Sequence, residues 1–267
     1  PMAHANDGGG SIRIPASCCG LFGLKPTRAR NPLGPEFGDI MNGLVVEHAV
    51  TRTVRDSAAL LDATSGPDLG DPYYAPPKQW PFLQEVSADP GRLRVAFATK
   101  PYGSSPVDAD CVAAVKDAAG LLEKLGHHVE EAAPQIDAKA YDEASSTIWA
   151  SFAAALVEGV AVKTGRAPSP DDYEPMTWDF YQEGKKQLAW RCVHAIGYVQ
   201  SLSRQVAGFF TRYDVWLTPT LGGPPPPLGT LHPQPGGAVM DFSKFDERLG
   251  QFMPFTPLAN YTGQPAM

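Results

Sequence analysis

Three consecutive glycines stand directly before a serine near the start of the sequence, in the stretch NDGGGS. Glycines in a row cost backbone entropy, so they are favoured where the main chain approaches a ligand closely or adopts a positive φ angle. Acyl transfer needs a hydroxyl nucleophile beside N–H groups that stabilise an oxyanion. The spacing therefore allows Ser11 to attack a carbonyl whose oxygen lies against the amides of residues 8–11. On spacing alone, a flexible Gly-Gly-Gly-Ser turn is the alternative interpretation.

The residues around this serine exclude two better-known glycine motifs. Ile12 and Arg13 follow Ser11, whereas the nucleophile elbow of α/β-hydrolases has a glycine two positions after its serine. No Gly-Lys-Ser/Thr follows the glycines, so the stretch is not a phosphate-binding P-loop. The four cysteines and six histidines have no zinc-ligand spacing. We therefore expect no metal and no cofactor, and we expect the thiols to be reduced and buried.

A longer segment decides between the catalytic and the flexible interpretation. Residues 6–30, NDGGGSIRIPASCCGLFGLKPTRAR, resemble the amidase signature family, whose hallmark is D-x-G-G-S-[IV]-R-x-P-A followed by C-G and G-L-K-P-T. Later segments such as GLVVEHAVTRTVRDSAALLDATSG, DVWLTPT and FTPLANYTGQPAM agree with it, so the resemblance covers the whole chain. It implies an α/β fold of the α/β/α layered amidase signature type, with a mixed β-sheet flanked by helices. Residues 1–267 are expected to be a single amidase domain fragment, incomplete at both ends.

The resemblance also implies a mechanism. In the family, a neutral lysine takes a proton through a bridging serine in a cis peptide, and another serine hydrolyses amides through an acyl-enzyme. Carried over by motif, Ser11 is the nucleophile. The N–H groups of the oxyanion hole would come from Gly8, Gly9 and Gly10.

Other positions of the motif are expected to be structural. Asp7 and Arg13 would brace the loop. The family's lysine and bridging serine lie upstream of the motif, in segments that this chain does not contain. Lys25 does not replace that lysine, because its family position is structural. A hydroxyl without a base is a poor nucleophile at neutral pH, so we expect these 267 residues to be inactive by themselves.

The family branch indicates the class of substrate. Through residues 6–20 and the stretch GLKPTRARNPLGP, the chain resembles the branch of bacterial 6-aminohexanoate cyclic dimer hydrolases. This similarity implies a small linear or cyclic amide. Trp149 lies in a helix that by resemblance faces the acyl pocket, so it is a candidate pocket wall, with a core tryptophan as the alternative. The proline-rich loop over residues 221–237 is a candidate cover for that pocket.

Two other classes of function stay open: a subunit of a tRNA-dependent amidotransferase, and a non-catalytic fragment or scaffold. The net charge of −7, without a run of five like charges, predicts contact with neither nucleic acid nor an anionic membrane. No run of 18 consecutive apolar residues occurs. We therefore expect a soluble, cytoplasmic protein with a small-molecule partner, and a homodimer is left open.

Hydrophobic periodicity predicts the elements that position the loop. Strand, amphipathic helix and strand follow one another over residues 92–99, 108–125 and 127–134, which is a β-α-β pattern. Thr53 and Asp56 form a capping box at the start of a further helix. The remaining predicted elements are helices over residues 138–163 and 177–213, the second broken at Gly184 or Gly197, and a strand over residues 214–220.

Overall fold

The structure is a computed structural model that describes residues 1–231 and 250–267. The chain divides into two compact units. Unit 1 comprises Pro1–Gln135, Ser203–Pro225 and Gln251–Met267, and unit 2 comprises Ile136–Leu202 and Pro226–Gly250. The single amidase domain over residues 1–267 stays a prediction. Most of the second half of the proline-rich loop lies outside the described residues, so its role as a pocket cover also stays a prediction.

Unit 1 contains an antiparallel three-stranded sheet in the order β1-β3-β2. Its strands are β1 (Met2–Asp7), β2 (Phe22–Gly23) and β3 (Val46–Thr51). β1 and β3 pair along their full length and bring Asp7 opposite Val46. Helix α1 (Arg13–Cys19) lies between β1 and β2 in the sequence. The loop that carries Ser11 is therefore the connection from a paired strand to a helix.

A second sheet of unit 1 is parallel, in the order β5-β4-β6. Its strands are β4 (Arg94–Phe97), β5 (His128–Glu131) and β6 (Val215–Leu217). Helix α4 (Ala109–Lys124) joins β4 to β5, so the predicted β-α-β unit is confirmed. The Asp108 side chain caps this helix by accepting from the Asp110 N–H, and Gly126 follows it with a φ angle of 94°. A glycine is favoured there because the chain leaves the helix in a left-handed conformation.

Helix α2 (Val54–Thr64) begins at the predicted capping box. Thr53 Oγ1 accepts a hydrogen bond of 3.0 Å from the Asp56 N–H. Unit 1 also contains two short helices that the sequence pattern did not predict, α3 (Phe82–Glu85) and α8 (Pro257–Thr262). The second of them matters for the site, because Thr256 directly before it and Asn260 within it bind residues 7–13.

Unit 2 is helical in its described part. It contains α5 (Ala138–Thr164), a 3₁₀ turn (Pro170–Asp172), α6 (Pro175–Lys185) and the first part of α7 (Ala189–Phe209), which ends in unit 1. The helix predicted over residues 177–213 is therefore two helices, and the break lies at residues 186–188, not at Gly184 or Gly197. Gly184 has a packing role instead, since a Cβ atom there would lie 2.0 Å from the carbonyl oxygen of Ala150 in α5.

The architecture is mixed α/β, as the resemblance implies. In the described residues the strands form two small sheets, one antiparallel and one parallel, and not a single mixed sheet. The four cysteines are free, but the prediction that they are buried is wrong. Cys19 is exposed, and the other three are half-buried.

Helix α5 has an unusual surface for its length. Its length and composition would allow it to cross a membrane. In the structure, 17% of its most apolar window is buried. Core helices of soluble proteins also pass the length and composition test. The expected absence of membrane contact therefore stays a prediction.

Candidate active site

The glycine-serine loop occupies residues 8–12, between the end of β1 and the first residue of α1. Its three glycines are buried, whereas Ser11 is exposed. The pairing of β1 with β3 holds one end of the loop, and the buried Arg13 holds the other. The Ser11 hydroxyl is thus carried at the surface of unit 1 by a short loop that is fixed at both ends.

Asp7 and Arg13, the residues expected to brace the loop, form a buried ion pair across its base. Arg13 Nε donates to Asp7 Oδ2 and Arg13 Nη2 donates to Asp7 Oδ1, each at 2.9 Å. Asp7 is 0% exposed and Arg13 is 4% exposed. Burial alone would raise the pKa of the Asp7 carboxyl, but the hydrogen bonds and charge of Arg13 outweigh it and hold this pKa below its ordinary value. The carboxylate is therefore ionised, and it can accept further hydrogen bonds from the loop.

Asp7 also binds the backbone of the loop itself. Its Oδ1 accepts from the Gly10 N–H at 2.7 Å, and its Oδ2 accepts from the Ile12 N–H at 3.2 Å. The Gly10 N–H therefore already donates to a carboxylate, which does not favour its place in an oxyanion hole, and that expectation stays a prediction. An N–H that already donates at 2.7 Å to an anion is not free to bind another one.

Gly10 is required by shape. Its φ angle is 137°, a conformation that side-chain-bearing residues rarely adopt. A Cβ atom at this position would lie 2.5 Å from Thr256 Oγ1 and 2.6 Å from Ile14 Cδ1. No other residue type fits this turn without displacing its neighbours.

Two polar residues near the C-terminal end of unit 1 complete the support of the loop. Asn260 donates from Nδ2 to the Asp7 carbonyl at 2.8 Å and to Asp7 Oδ1 at 2.9 Å, and its Oδ1 accepts from Arg13 Nη2 at 2.6 Å. Thr256 accepts from Arg13 Nη1 through its carbonyl at 2.7 Å and donates from Oγ1 to the Gly9 carbonyl at 2.8 Å. We call Asp7, Arg13, Thr256 and Asn260 the brace.

The sequence analysis did not single out Thr256 and Asn260, the C-terminal half of the brace. Thr256 and Asn260 lie in FTPLANYTGQPAM, which contributed to the family resemblance only as a segment. Their spacing of four places two polar side chains on one face of a helical turn that is otherwise mostly apolar. This spacing is the signal that could have indicated them. It does not say which distant backbone they bind.

Three backbone N–H groups of the loop remain as candidate donors to an oxyanion. Within residues 1–231 and 250–267, the N–H groups of Gly8, Gly9 and Ser11 have no hydrogen-bond acceptor. Two of the loop carbonyls are used, since the Gly9 oxygen accepts from Thr256 and the Gly10 oxygen accepts from the Ile14 N–H at 2.7 Å. The loop therefore offers N–H donors beside the Ser11 hydroxyl.

The part of the chain that the structure describes shows no base bonded to Ser11. No lysine or histidine side chain there is hydrogen-bonded to the Ser11 hydroxyl. Lys25 is 0% exposed, and its Nζ donates to the Pro26 carbonyl at 3.0 Å. Burial, with a smaller contribution from the charge of Arg13, lowers the pKa of Lys25 to about 7. Its amine lies inside the fold and does not contact the exposed serine.

Trp149 lies in unit 2, on helix α5. It is half-buried, and its ring centroid lies 6.5 Å from that of Phe180 in α6. This environment is that of an aromatic pair between two packed helices. The role of Trp149 as a pocket wall stays a prediction.

A cavity of about 470 Å³ in unit 1 touches the brace but not the serine. Arg13 and Thr256 line it together with Trp216, Phe255 and Leu258, whereas Ser11 and the loop glycines do not. The Trp216 Nε1 atom is buried and has no hydrogen-bond partner among the described residues. Because the cavity does not open at Ser11, we do not assign it to the acyl group of a substrate.

Comparison with known proteins places the chain in a family. The Amidase family model matches residues 1–267. A putative amidase, AmiC, of Mycobacterium leprae is 38% identical over 275 residues, which cover 100% of this chain and 54% of AmiC. The 6-aminohexanoate-cyclic-dimer hydrolase of Paenarthrobacter ureafaciens is 37% identical over 277 residues, which cover 100% of this chain and 55% of that protein.

A solved structure agrees with these relatives. The structure of a 6-aminohexanoate cyclic dimer hydrolase complexed with substrate superimposes with a TM-score of 0.87 and 31% identity, and the match covers 99% of this chain and 56% of that one. The chain thus spans about half the length of the relatives it matches. With the family model matching from its first to its last residue, the chain belongs to the Amidase family, the amidase signature family that residues 6–30 indicate.

Proposed function

We propose that the protein containing this chain hydrolyses the C–N bond of small amides through an acyl-enzyme on Ser11. The observation that carries the proposal is the exposed Ser11 hydroxyl on a braced loop, beside N–H groups without acceptors at Gly8, Gly9 and Ser11 among the described residues. Preorganised N–H groups stabilise negative charge as it develops on a carbonyl under attack. The relatives named as amidases and as a cyclic-dimer hydrolase support the same chemistry.

In the proposed reaction, the Ser11 oxygen attacks the carbonyl carbon of the amide and its proton passes to a base. The carbonyl oxygen becomes an oxyanion that accepts hydrogen bonds from the free N–H groups of the loop. When this intermediate collapses, the C–N bond breaks, the nitrogen leaves with the proton, and the acyl group stays on Ser11. Water then attacks the ester, which releases the carboxylic acid and restores the hydroxyl.

The base is proposed to come from outside the described residues. By resemblance it is a neutral lysine that acts through a bridging serine. Lys25 is excluded from this role by its burial and by its bond to the Pro26 carbonyl. We therefore propose that the 267-residue chain alone does not turn over unactivated amides.

Small linear or cyclic amides are the proposed substrates, with Trp149 as a candidate wall of the acyl pocket. The name of the 6-aminohexanoate-cyclic-dimer hydrolase, 37% identical, supports this substrate class. A role in a tRNA-dependent amidotransferase is not favoured, since the relatives above are named as amidases and a hydrolase and the net charge is −7.

Labelling with an activated acyl donor tests the nucleophile without requiring the missing base. The chain is incubated with p-nitrophenyl acetate over a range of pH and imidazole concentration, and trypsin digestion is followed by mass spectrometry. The tryptic peptide of residues 1–13 contains Ser11 as its only hydroxyl side chain, so an ester there reports this serine. We expect an acetyl ester at Ser11 of this peptide, located by fragment-ion sequencing and distinguished from acetylation of the Pro1 amine. It should form faster at higher pH and with imidazole, because hydroxide and imidazole accept the serine proton as its oxygen attacks.

The matched control is Ser17→Ala, which removes another exposed serine, located in α1. This variant should label like the original chain, whereas Ser11→Ala should not label on this peptide. Equal labelling of the Ser11→Ala variant would contradict the assignment of the nucleophile. Absence of any Ser11 adduct in the original chain would favour the non-catalytic scaffold.

A further inference from the structure

The peptide bond between Gly9 and Gly10 is held at both of its polar ends. The Gly9 carbonyl accepts from Thr256 Oγ1 at 2.8 Å, and the Gly10 N–H donates to Asp7 Oδ1 at 2.7 Å. In a trans peptide these two groups point in opposite directions. The peptide plane therefore lies between a threonine on one side and an aspartate on the other, and neither end can rotate without losing a buried hydrogen bond.

The orientation of this peptide determines where its neighbours point. The Gly9 N–H precedes it and the Ser11 N–H follows it, and both lack acceptors among the described residues. Gly10 can adopt its φ angle of 137° because glycine has no Cβ atom. For the same reason, Gly10 could adopt other backbone conformations. The backbone bond from the Ile14 N–H at 2.7 Å holds the Gly10 carbonyl but not the peptide between Gly9 and Gly10. Hydrogen bonds from outside the loop are needed.

The Thr256 side chain is free for this purpose because it does not cap its own helix. Thr256 is the residue before α8, and its hydroxyl makes no capping hydrogen bond to that helix. It is 4% exposed, so water does not replace its bond to Gly9 readily. Its carbonyl accepts from Arg13, so the same residue contacts the loop on both sides of Ser11.

We propose that Thr256 is a positioning residue for the oxyanion hole, which sets the direction of the Gly9 and Ser11 N–H groups by holding the Gly9 carbonyl. This role rests on the proposed function of Ser11. Thr256 does not touch the substrate, and it acts through the peptide plane. The hydroxyl, not the methyl group, is the part that matters.

The test compares Thr256→Val, which replaces the hydroxyl with a methyl group, with Thr256→Ser, which keeps the hydroxyl. Thr256→Ala serves as a second hydroxyl-free variant in case valine perturbs folding. The matched control is Ser57→Ala, which removes another buried hydroxyl of unit 1, bonded to His48 Nε2 at 2.8 Å and unconnected to the loop. Thermal unfolding followed by circular dichroism verifies that each variant is folded.

Two readouts separate positioning from general structure. The first is the rate of Ser11 acetylation by p-nitrophenyl acetate, resolved into its maximum and its half-saturating concentration. The second is NMR of the loop, with the ¹³C′ shift of Gly9 and the amide shifts of Gly9 and Ser11, which needs no reactivity. For Thr256→Val we expect the maximum rate to fall by about tenfold or more, with the half-saturating concentration changed less than about twofold. A misdirected N–H donor stabilises the oxyanion of the transition state less, but it does not change how p-nitrophenyl acetate binds beforehand.

The conservative variant and the control complete the expectation. Thr256→Ser should retain most of the acetylation rate and the NMR shifts, and Ser57→Ala should keep both unchanged. If Thr256→Val acetylates like the original chain, or Thr256→Ser is as slow as Thr256→Val, the positioning role is overturned while the proposed function stands. If the original chain does not acetylate Ser11 at all, the proposed function fails, and the role of Thr256 in it fails too.

Discussion

Arg13 binds the carboxylate of Asp7 through two hydrogen bonds of 2.9 Å, although the two residues stand at opposite ends of the loop that carries Ser11. Two parallel N–H donors on a planar group match the two oxygens of a carboxylate in both distance and direction. The pair therefore fixes the distance between the end of β1 and the start of α1. The loop between them is short because this distance is short.

Removal of the Arg13 side chain should destabilise unit 1 strongly. In Arg13→Met the Asp7 carboxylate stays buried without its cation, so we expect the free energy of unfolding to fall by about 3–5 kcal/mol. Urea denaturation followed by circular dichroism measures this. The control is Arg94→Met, which breaks the exposed pair with Asp214 and should cost much less, because exposed ion pairs contribute little to stability. Equal losses in the two variants would contradict a structural role for the buried pair.

Substitution of Gly10 should damage both stability and reactivity. In Gly10→Ala the new Cβ meets Thr256 Oγ1 at 2.5 Å and the φ angle of 137° becomes strained, so we expect a loss of about 2 kcal/mol or more. Ser11 acetylation should fall with it. Gly120→Ala, in helix α4 with no atom within 4 Å of the new Cβ, should instead raise stability by up to about 1 kcal/mol. A Gly10→Ala protein as stable as the original would show that the loop adapts freely.

The buried amine of Lys25 should make stability depend on pH. Its pKa is lowered to about 7 in the folded chain from an ordinary value of 10.5, so between these values the unfolded chain binds one more proton. Stability contributed by this group therefore rises with pH across that window, by up to about 1.4 kcal/mol per pH unit. Below pH 7 the cost of burying the ammonium is present in full.

Lys25→Met should remove this slope, and urea unfolding at several pH values between 7 and 10 measures it. The exposed Lys116 of α4 provides the matched variant, Lys116→Met, in which the slope should persist. A slope that is the same in all three proteins would mean that other groups produce it.

Close packing of α5 and α6 in unit 2 predicts that Gly184→Ala lowers stability. In Gly184→Ala the Cβ would lie 2.0 Å from the Ala150 carbonyl oxygen, a backbone atom that cannot rotate away, so α6 must move from α5. We expect a loss of about 1–3 kcal/mol in urea unfolding. Gly159→Ala, at an exposed position of α5 with open space around it, should be neutral or stabilising. Tolerance of alanine at residue 184 would show that the two helices are not in tight contact.

Local sequence patterns predicted the helices and strands that are marked by periodicity and by capping residues. The β-α-β unit around α4 and the start of α2 follow from periodicity and caps, which act within a few residues. The division between α6 and α7 was misplaced because Gly184 was interpreted as a weak point of a helix. In the structure the absence of a side chain there permits contact with α5, an interaction between elements that a single sequence does not display.

Only the N-terminal part of the candidate site, in residues 6–30, was predictable from the sequence. The motif of residues 6–30 indicated Ser11, Asp7 and Arg13, since motif positions are close together in sequence. The commitment of the Gly10 N–H to Asp7 depends on a side-chain rotamer, and the partnership of Asn260 with Asp7 joins positions separated by 253 residues. Such contacts are set by tertiary folding, so neither spacing nor composition indicates them.

The separation between Asp7 and Asn260 also bears on synthesis. Ribosomes make chains from the N-terminus, so the loop that carries Ser11 emerges when Thr256 and Asn260 are still untranslated. Until then only Asp7 and Arg13, the N-terminal half of the brace, are available to hold the loop. We therefore expect the contacts of Thr256 and Asn260 to be the last part of the brace to form during synthesis.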